Sequence, residues 1–207
     1  MQIDLEALTA RDRYKLLCGV VIPRPIAWVT TISADGVVNV APFSFFNLFG
    51  ADPATVILGL EHYADGTPKD TTRNIDEAGE YTINILTPDL NDMMVATAAQ
   101  YSADISEAAA LGLVLCPSAK VAPPRLACAP VALECRKTMA LSLGPERSIM
   151  IGEAIALSAR EGLIDIERNY VDWKGHYPTA RLFADKYARL VETESMNIPP
   201  IAPETAQ

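Results

Sequence analysis

Apolar and polar residues alternate in short runs over most of the chain, the period expected of half-buried strands. Strands are predicted at 26–33, rich in β-branched residues and holding Trp28, at 37–41, and at 55–60 (TVILGL), which reads as buried. Others are predicted at 81–86, 131–140 and 148–159, with a shorter one at 186–192. Ala34, Asp35 and Gly36 between the first two strands form a hairpin turn signal. Helical periods replace the alternation in three places. Thr9 with Asp12 can cap a helix running to Leu17. Between 65 and 79, Thr67 is a candidate N-cap, Pro68 suits the first helical position, Asp70 would close a capping box, and Gly79 ends the helix. The third runs over 88–101. Neighbouring strands joined by short turns, without regular βαβ alternation, point to a closed or half-closed antiparallel barrel with peripheral helices.

The chain has 207 residues, 50% hydrophobic and 21% charged, with no fixed-period repeat and no Gly/Ser linker, which fits one domain. Its 15 prolines cluster at 117–130 and 199–203. The domain is drawn at 1–195, with 196–207 as a tail lacking any apolar period. Seventeen Lys and Arg against 26 Asp and Glu give a net charge of −9, the wrong sign for nucleic acid or an anionic membrane. No apolar run approaches the ~20 residues of a membrane span, and the opening MQIDLEALTARDRY lacks the basic start and apolar middle of a signal peptide. Four cysteines without C-x-x-C and two histidines argue against a metal site or a disulfide framework and fit a reducing cytoplasm.

There is no G-x-G-x-x-G, P-loop, H-E-x-x-H or G-x-S-x-G. Two segments carry the remaining chemistry. APFSFFN at 41–47 follows directly on a strand, and Pro42 inside it marks an edge or a bulge. Its freed backbone groups could meet a planar heteroaromatic edge. GTPKDTTRN at 66–74 sets Lys69, Thr71 and Thr72 at a helix start, where unpaired N–H donors suit a phosphate. A ring site and a phosphate site together point to flavin mononucleotide. The plainer readings, a Phe-rich strand end as core and a capped helix as no more than that, stay open on residue type alone.

With those stretches goes a resemblance. PRPIAWVTT with DG, NVAPFSFFN, ADPATVILGL, DGTPKDTTRNI, GEYTINI, PPRLACAPVALECR, IGEAIAL and the later KYARL resemble the flavin reductase-like family of FMN-binding split barrels, in its flavoredoxin and NAD(P)H:flavin oxidoreductase branch. The resemblance runs from about residue 12 to 195. It implies a mainly β fold, a six-stranded antiparallel Greek-key split barrel, usually a homodimer with one flavin per subunit. It also implies that Ala41, Pro42, Phe43, Ser44, Phe45 and Asn47 face the isoalloxazine and ribityl chain, that Thr30 and Thr31 flank the ring, and that Lys69, Asp70 and Thr71 lie near the phosphate. For Asp70, whose carboxylate would repel a phosphate, a capping box with Thr67 is the favoured reading.

The function implied is an FMN-dependent oxidoreductase, with FMN favoured over FAD, taking hydride from NAD(P)H and passing it to a small-molecule or protein acceptor. The alternative is an FMN-binding electron-transfer protein without its own nicotinamide site. Hydride transfer requires no side-chain acid or nucleophile, so no residue is assigned a catalytic role and no metal is expected. Many members carry Gly-Asp-His before the Gly-Glu strand; here Pro145, Glu146, Arg147 and Ser148 stand in that stretch. Arg147 reads either as a grip for a dinucleotide phosphate or as a solvated turn charge. Trp28 and Trp173 read as core or interface, and both histidines as surface residues.

Overall fold

The computed structural model describes residues 1–198. One antiparallel sheet organises the chain: β1 (Ala27–Ile32), β2 (Val38–Phe43), β3 (Phe46–Leu48), β4 (Thr55–Glu61), β5 (Glu80–Ile85), β6 (Val131–Ser142) and β7 (Arg147–Ala159). Its order is β2-β1-β5-β6-β7-β4-β3. The two edge strands, β2 and β3, are consecutive in the chain and separated only by Ser44 and Phe45. Two intervening residues span about 10 Å at most, so the sheet must curl until its edges meet. The Gly59 N–H then donates to the Phe45 carbonyl at 2.7 Å beside the seam. The result is the expected split barrel, with seven strands rather than six; the extra one is the three-residue β3.

Core formation follows from β1, which is buried on both faces. Ala27 and Val29 pack inside the barrel with Val56, Leu58, Tyr81, Ile83 and Met150. Ile26 and Trp28 pack outside it with Val40, Leu86, Met94 and Leu126. Trp28 is therefore core, and its indole N–H donates to Thr97 Oγ1 at 2.9 Å. By contrast β4 strictly alternates, burying Val56, Leu58 and Leu60 on one face rather than being buried throughout.

Among the described residues four helices surround the sheet: α1 (Ala10–Val20), α2 (Asp70–Ala78), α3 (Asn91–Ala96) and α4 (Glu107–Ala110). Thr9 caps α1 as expected, accepting from the Asp12 N–H at 3.2 Å, and the helix extends past Leu17. α2 begins later than the Thr67 reading placed it. Asp65 Oδ1 accepts from both the Thr67 N–H and hydroxyl, and Pro68 bridges to His62, so residues 65–68 form a turn and Lys69 becomes the N-cap. Asp70 therefore closes no capping box; its carboxylate pairs with Arg73 one turn on. The helix expected at 88–101 is a 3-10 turn, Pro88–Leu90, followed by the short α3, and α4 was not among the expected helices. The 186–192 strand shrinks to Tyr187–Ala188, which joins Ala180–Arg181 and Arg24–Pro25 in a small sheet beside the seam. The Pro-rich 117–130 stretch is held down by Glu134, whose two oxygens accept from the Ala119 and Lys120 N–H groups at 2.8 and 2.6 Å. The 199–203 proline cluster and most of the expected tail lie outside the described residues. Among the described residues no helix is long and apolar enough to cross a membrane, and no three His, Cys, Asp or Glu side chains gather as a metal site.

Candidate functional site

A cavity of about 550 Å³ opens at the barrel seam, within the ~300–1,000 Å³ range of small-molecule sites. Its floor is residues 41–45, the end of β2 and the bend into β3. One end is closed by residues 69–71 at the start of α2, and the walls come from Tyr14, Gly59, Glu61, Arg147, Arg181 and Tyr187.

The floor is shaped by an edge strand. Val40, paired with Thr30, gives its N–H at 2.8 Å to Glu107 on α4 and not to β1. Antiparallel pairs alternate between inward- and outward-facing peptide groups, so Pro42, two residues on, also faces outward. It has no N–H to leave unpaired and presents only its carbonyl. Behind the bend lies Arg24, a buried guanidinium without a carboxylate partner among the described residues. It donates to the carbonyls of Cys18, Val21 and Leu182 at 2.7, 2.8 and 2.6 Å and approaches Ser44 Oγ at 3.5 Å. One side chain thus ties the end of α1, the bend and the C-terminal segment together.

The closed end is a helix N-terminus without a side-chain cap. Lysine is a poor N-cap because it carries no acceptor, so the first-turn N–H groups beside Lys69 and Thr71 lack the usual partner. Thr71 is fixed by Asn39 Nδ2, 2.9 Å from its Oγ1. Across the mouth, Glu61 holds two cations: Arg147 Nη2 at 2.9 Å and Lys69 Nζ at 3.4 Å. The Arg147 guanidinium lies 4.9 Å from the Phe45 ring centroid and 5.7 Å from that of Tyr14, a cation stacked on aromatic faces. Burial pushes the Tyr14 phenol up, and the neighbouring Cys18 adds to that. Burial likewise raises the Glu107 carboxyl, with the nearby Asp70 charge in the same direction, while the Val40 N–H and the residue's own backbone N–H work against both.

The structure brings eight sequence-expected residues to this cavity: Ala41, Pro42, Phe43, Ser44, Phe45, Lys69, Asp70 and Thr71. Thr30, Thr31 and Asn47 do not line it. Thr30 and Thr31 are fully buried in β1, the first donating its hydroxyl to the Pro124 carbonyl and the second accepting from Asn74 Nδ2 at 3.0 Å. The Asn47 Oδ1 accepts from the Leu48 N–H at 2.8 Å on the exposed β3. Arg147 is no solvated turn charge but part of the wall. Sequence reasoning missed Tyr14, Asn39, Glu61 and Glu107. Only Glu107 left a trace, the Ser-Glu start of a capped helix at 106–107.

The sequence profile described as "Flavin reductase like domain" matches residues 20–181. The chain belongs to this family. Among solved structures, this flavin reductase-like protein is similar to 2-nitrobenzoate 2-nitroreductase of Pseudomonas fluorescens, 33% identical with a TM-score of 0.89 over 100% of both chains. Nitrilotriacetate monooxygenase component B of Bacillus cereus is 31% identical with a TM-score of 0.89, covering 95% of this chain and 98% of that one. Flavoredoxin of Desulfovibrio vulgaris, 20% identical with a TM-score of 0.75 over 95% and 98%, shares the fold. The family and its fold make the protein flavin reductase-like and tie it to flavin-related oxidoreductase chemistry.

Proposed function

We propose that the protein is an FMN-dependent oxidoreductase that accepts hydride from NAD(P)H and delivers it to a small-molecule or protein acceptor. The observation that carries this reading is the joining, in one cavity, of an outward-facing strand end at 41–45 and an uncapped helix start at 69–71. The donor set fits a flavin mononucleotide. First-turn N–H groups with Lys69 suit a terminal phosphate, and the Pro42 carbonyl offers an acceptor to a ring N–H. FMN is favoured over FAD because the phosphate end of the cavity is closed by α2 itself. A bound flavin supplies two-electron chemistry at its N5. The chain's own residues bind and orient: Phe45 packs on Gly59, Arg24 fixes the bend behind it, and Arg147 faces whatever enters the open mouth. The two solved relatives described above at 33% and 31% identity are named for oxidoreductase systems, which supports the reading. The reading includes a homodimer.

Stopped-flow mixing of the flavin-loaded protein with NADH and with NADPH tests it. Prompt bleaching of the flavin band is expected with at least one. Bleaching only by a protein donor, with neither nucleotide acting, would replace the enzyme by an electron carrier.

A further inference from the structure

Glu107 is 6% exposed, yet it lines the cavity. One oxygen, Oε2, accepts from the Val40 N–H at 2.8 Å. The other accepts no hydrogen bond from another residue among those described, and no cation pairs with the carboxyl. A buried carboxylate without a counter-charge is costly, and holding an edge-strand N–H does not require one, since an amide oxygen would serve as well. Its position is fixed by consecutive residues of β2: Asn39 binds Thr71 on the first turn of α2, and Val40 binds Glu107. The other oxygen is therefore held at the same end of the cavity as the α2 N-terminus. β2 carries no titratable side chain. α2 brings Lys69, Asp70 and Arg73, of which Asp70 is paired with Arg73 and Lys69 with Glu61, and Tyr101 lines the cavity from the segment before α4.

An arriving phosphate would meet two carboxylates, Asp70 and Glu107, and only the first has a cation beside it. Like charges in one buried site cannot all stay ionised. We infer that Glu107 takes up a proton from solvent when a phosphate monoester binds at the start of α2, and that the neutral carboxyl then donates its O–H to the ligand. The inference rests on the flavin reading above and adds to it a residue that makes affinity for the phosphorylated cofactor depend on pH. The sign is fixed by that coupling. The bound state holds the proton more tightly than the free state, so affinity is full below the free carboxyl's pKa. It falls about tenfold per pH unit above that value until the bound pKa is passed. Burial already holds the free carboxyl above the ordinary glutamate range.

The full-length protein is titrated calorimetrically with FMN above about pH 7, where a phosphate monoester is already largely dianionic, in two buffers of different ionisation enthalpy. Uptake of close to one proton per FMN is expected, with none for riboflavin, which lacks the phosphate. Glu107→Gln keeps an acceptor for Val40, so it should bind FMN with a flat pH profile and more tightly than the wild type at the alkaline end. FMN binding without proton uptake, uptake with riboflavin as well, or an unchanged pH slope in the Gln variant would each overturn this inference alone. No FMN binding at any pH would overturn the flavin reading and this one together.

Discussion

Lys69→Ala and Glu61→Gln should move FMN affinity in opposite directions, although the two side chains touch. Lys69 Nζ is 3.4 Å from Glu61, with the side chains 38% and 47% exposed. A pair that open to water contributes only ~0.2–1 kcal/mol. A charge-assisted contact from Lys69 to a phosphate contributes ~1.5–3 kcal/mol. Binding must first draw Lys69 away from Glu61, so the net loss in Lys69→Ala is about 1–2 kcal/mol, or roughly 5- to 30-fold in Kd. Glu61→Gln removes the competitor and should tighten FMN by up to roughly fivefold. Neither change should move folding stability by more than about 0.5 kcal/mol, since both side chains are half in water. Quenching of flavin fluorescence on titration reads both constants. An unchanged Kd in Lys69→Ala removes the lysine from the phosphate site, and weaker binding in Glu61→Gln contradicts the competition.

Four further outcomes follow from packing. A Cβ on Gly59 would lie 2.9 Å from the Phe45 Cβ; Gly59→Ala should push the bend into the cavity and weaken FMN by about 1–3 kcal/mol, and an unaltered Kd would show that the bend does not set the site. A Cβ on Gly152 would collide with the Tyr81 hydroxyl and stand 2.8 Å from the Arg136 carbonyl. Gly152→Ala should therefore cost about 3 kcal/mol in denaturant unfolding, with part recovered by adding Tyr81→Phe; no recovery would place the clash elsewhere. Tyr81→Phe alone should be neutral or stabilising by about 1 kcal/mol, because that buried hydroxyl has no N or O hydrogen-bond partner among the described residues. Arg24→Lys loses the fork that reaches three carbonyls; a cost of about 2–3 kcal/mol and a Tm lower by roughly 4–12 °C are expected by calorimetry.

Strand positions were legible because β-branched alternation and turn residues agree locally, as at β1, the turn at Gly36 and β2. The start of α2 was misplaced because Thr67 and Pro68 look like a cap and a first helical residue. Asp65 captures Thr67 in a tighter turn, and nothing in the local pattern ranks the two. The floor at 41–45 and the start of α2 could be read because each is a contiguous segment with its own chemistry. Thr30 and Thr31 could not be placed, because their hydroxyls are consumed by Pro124 and Asn74, partners 94 and 43 residues away. Glu61 and Arg147 become neighbours only through the β4 to β7 register, and Glu107 reaches the cavity only because an edge N–H at Val40 needs an acceptor. Residues that complete a site across strands leave no mark in one-dimensional spacing.

The most direct measurement is a structure of the protein with FMN bound. The phosphate should accept from the first-turn N–H groups of α2 and from Lys69, with the isoalloxazine lying along residues 41–45. FMN seated elsewhere, or held at only one of these two ends, would contradict the account.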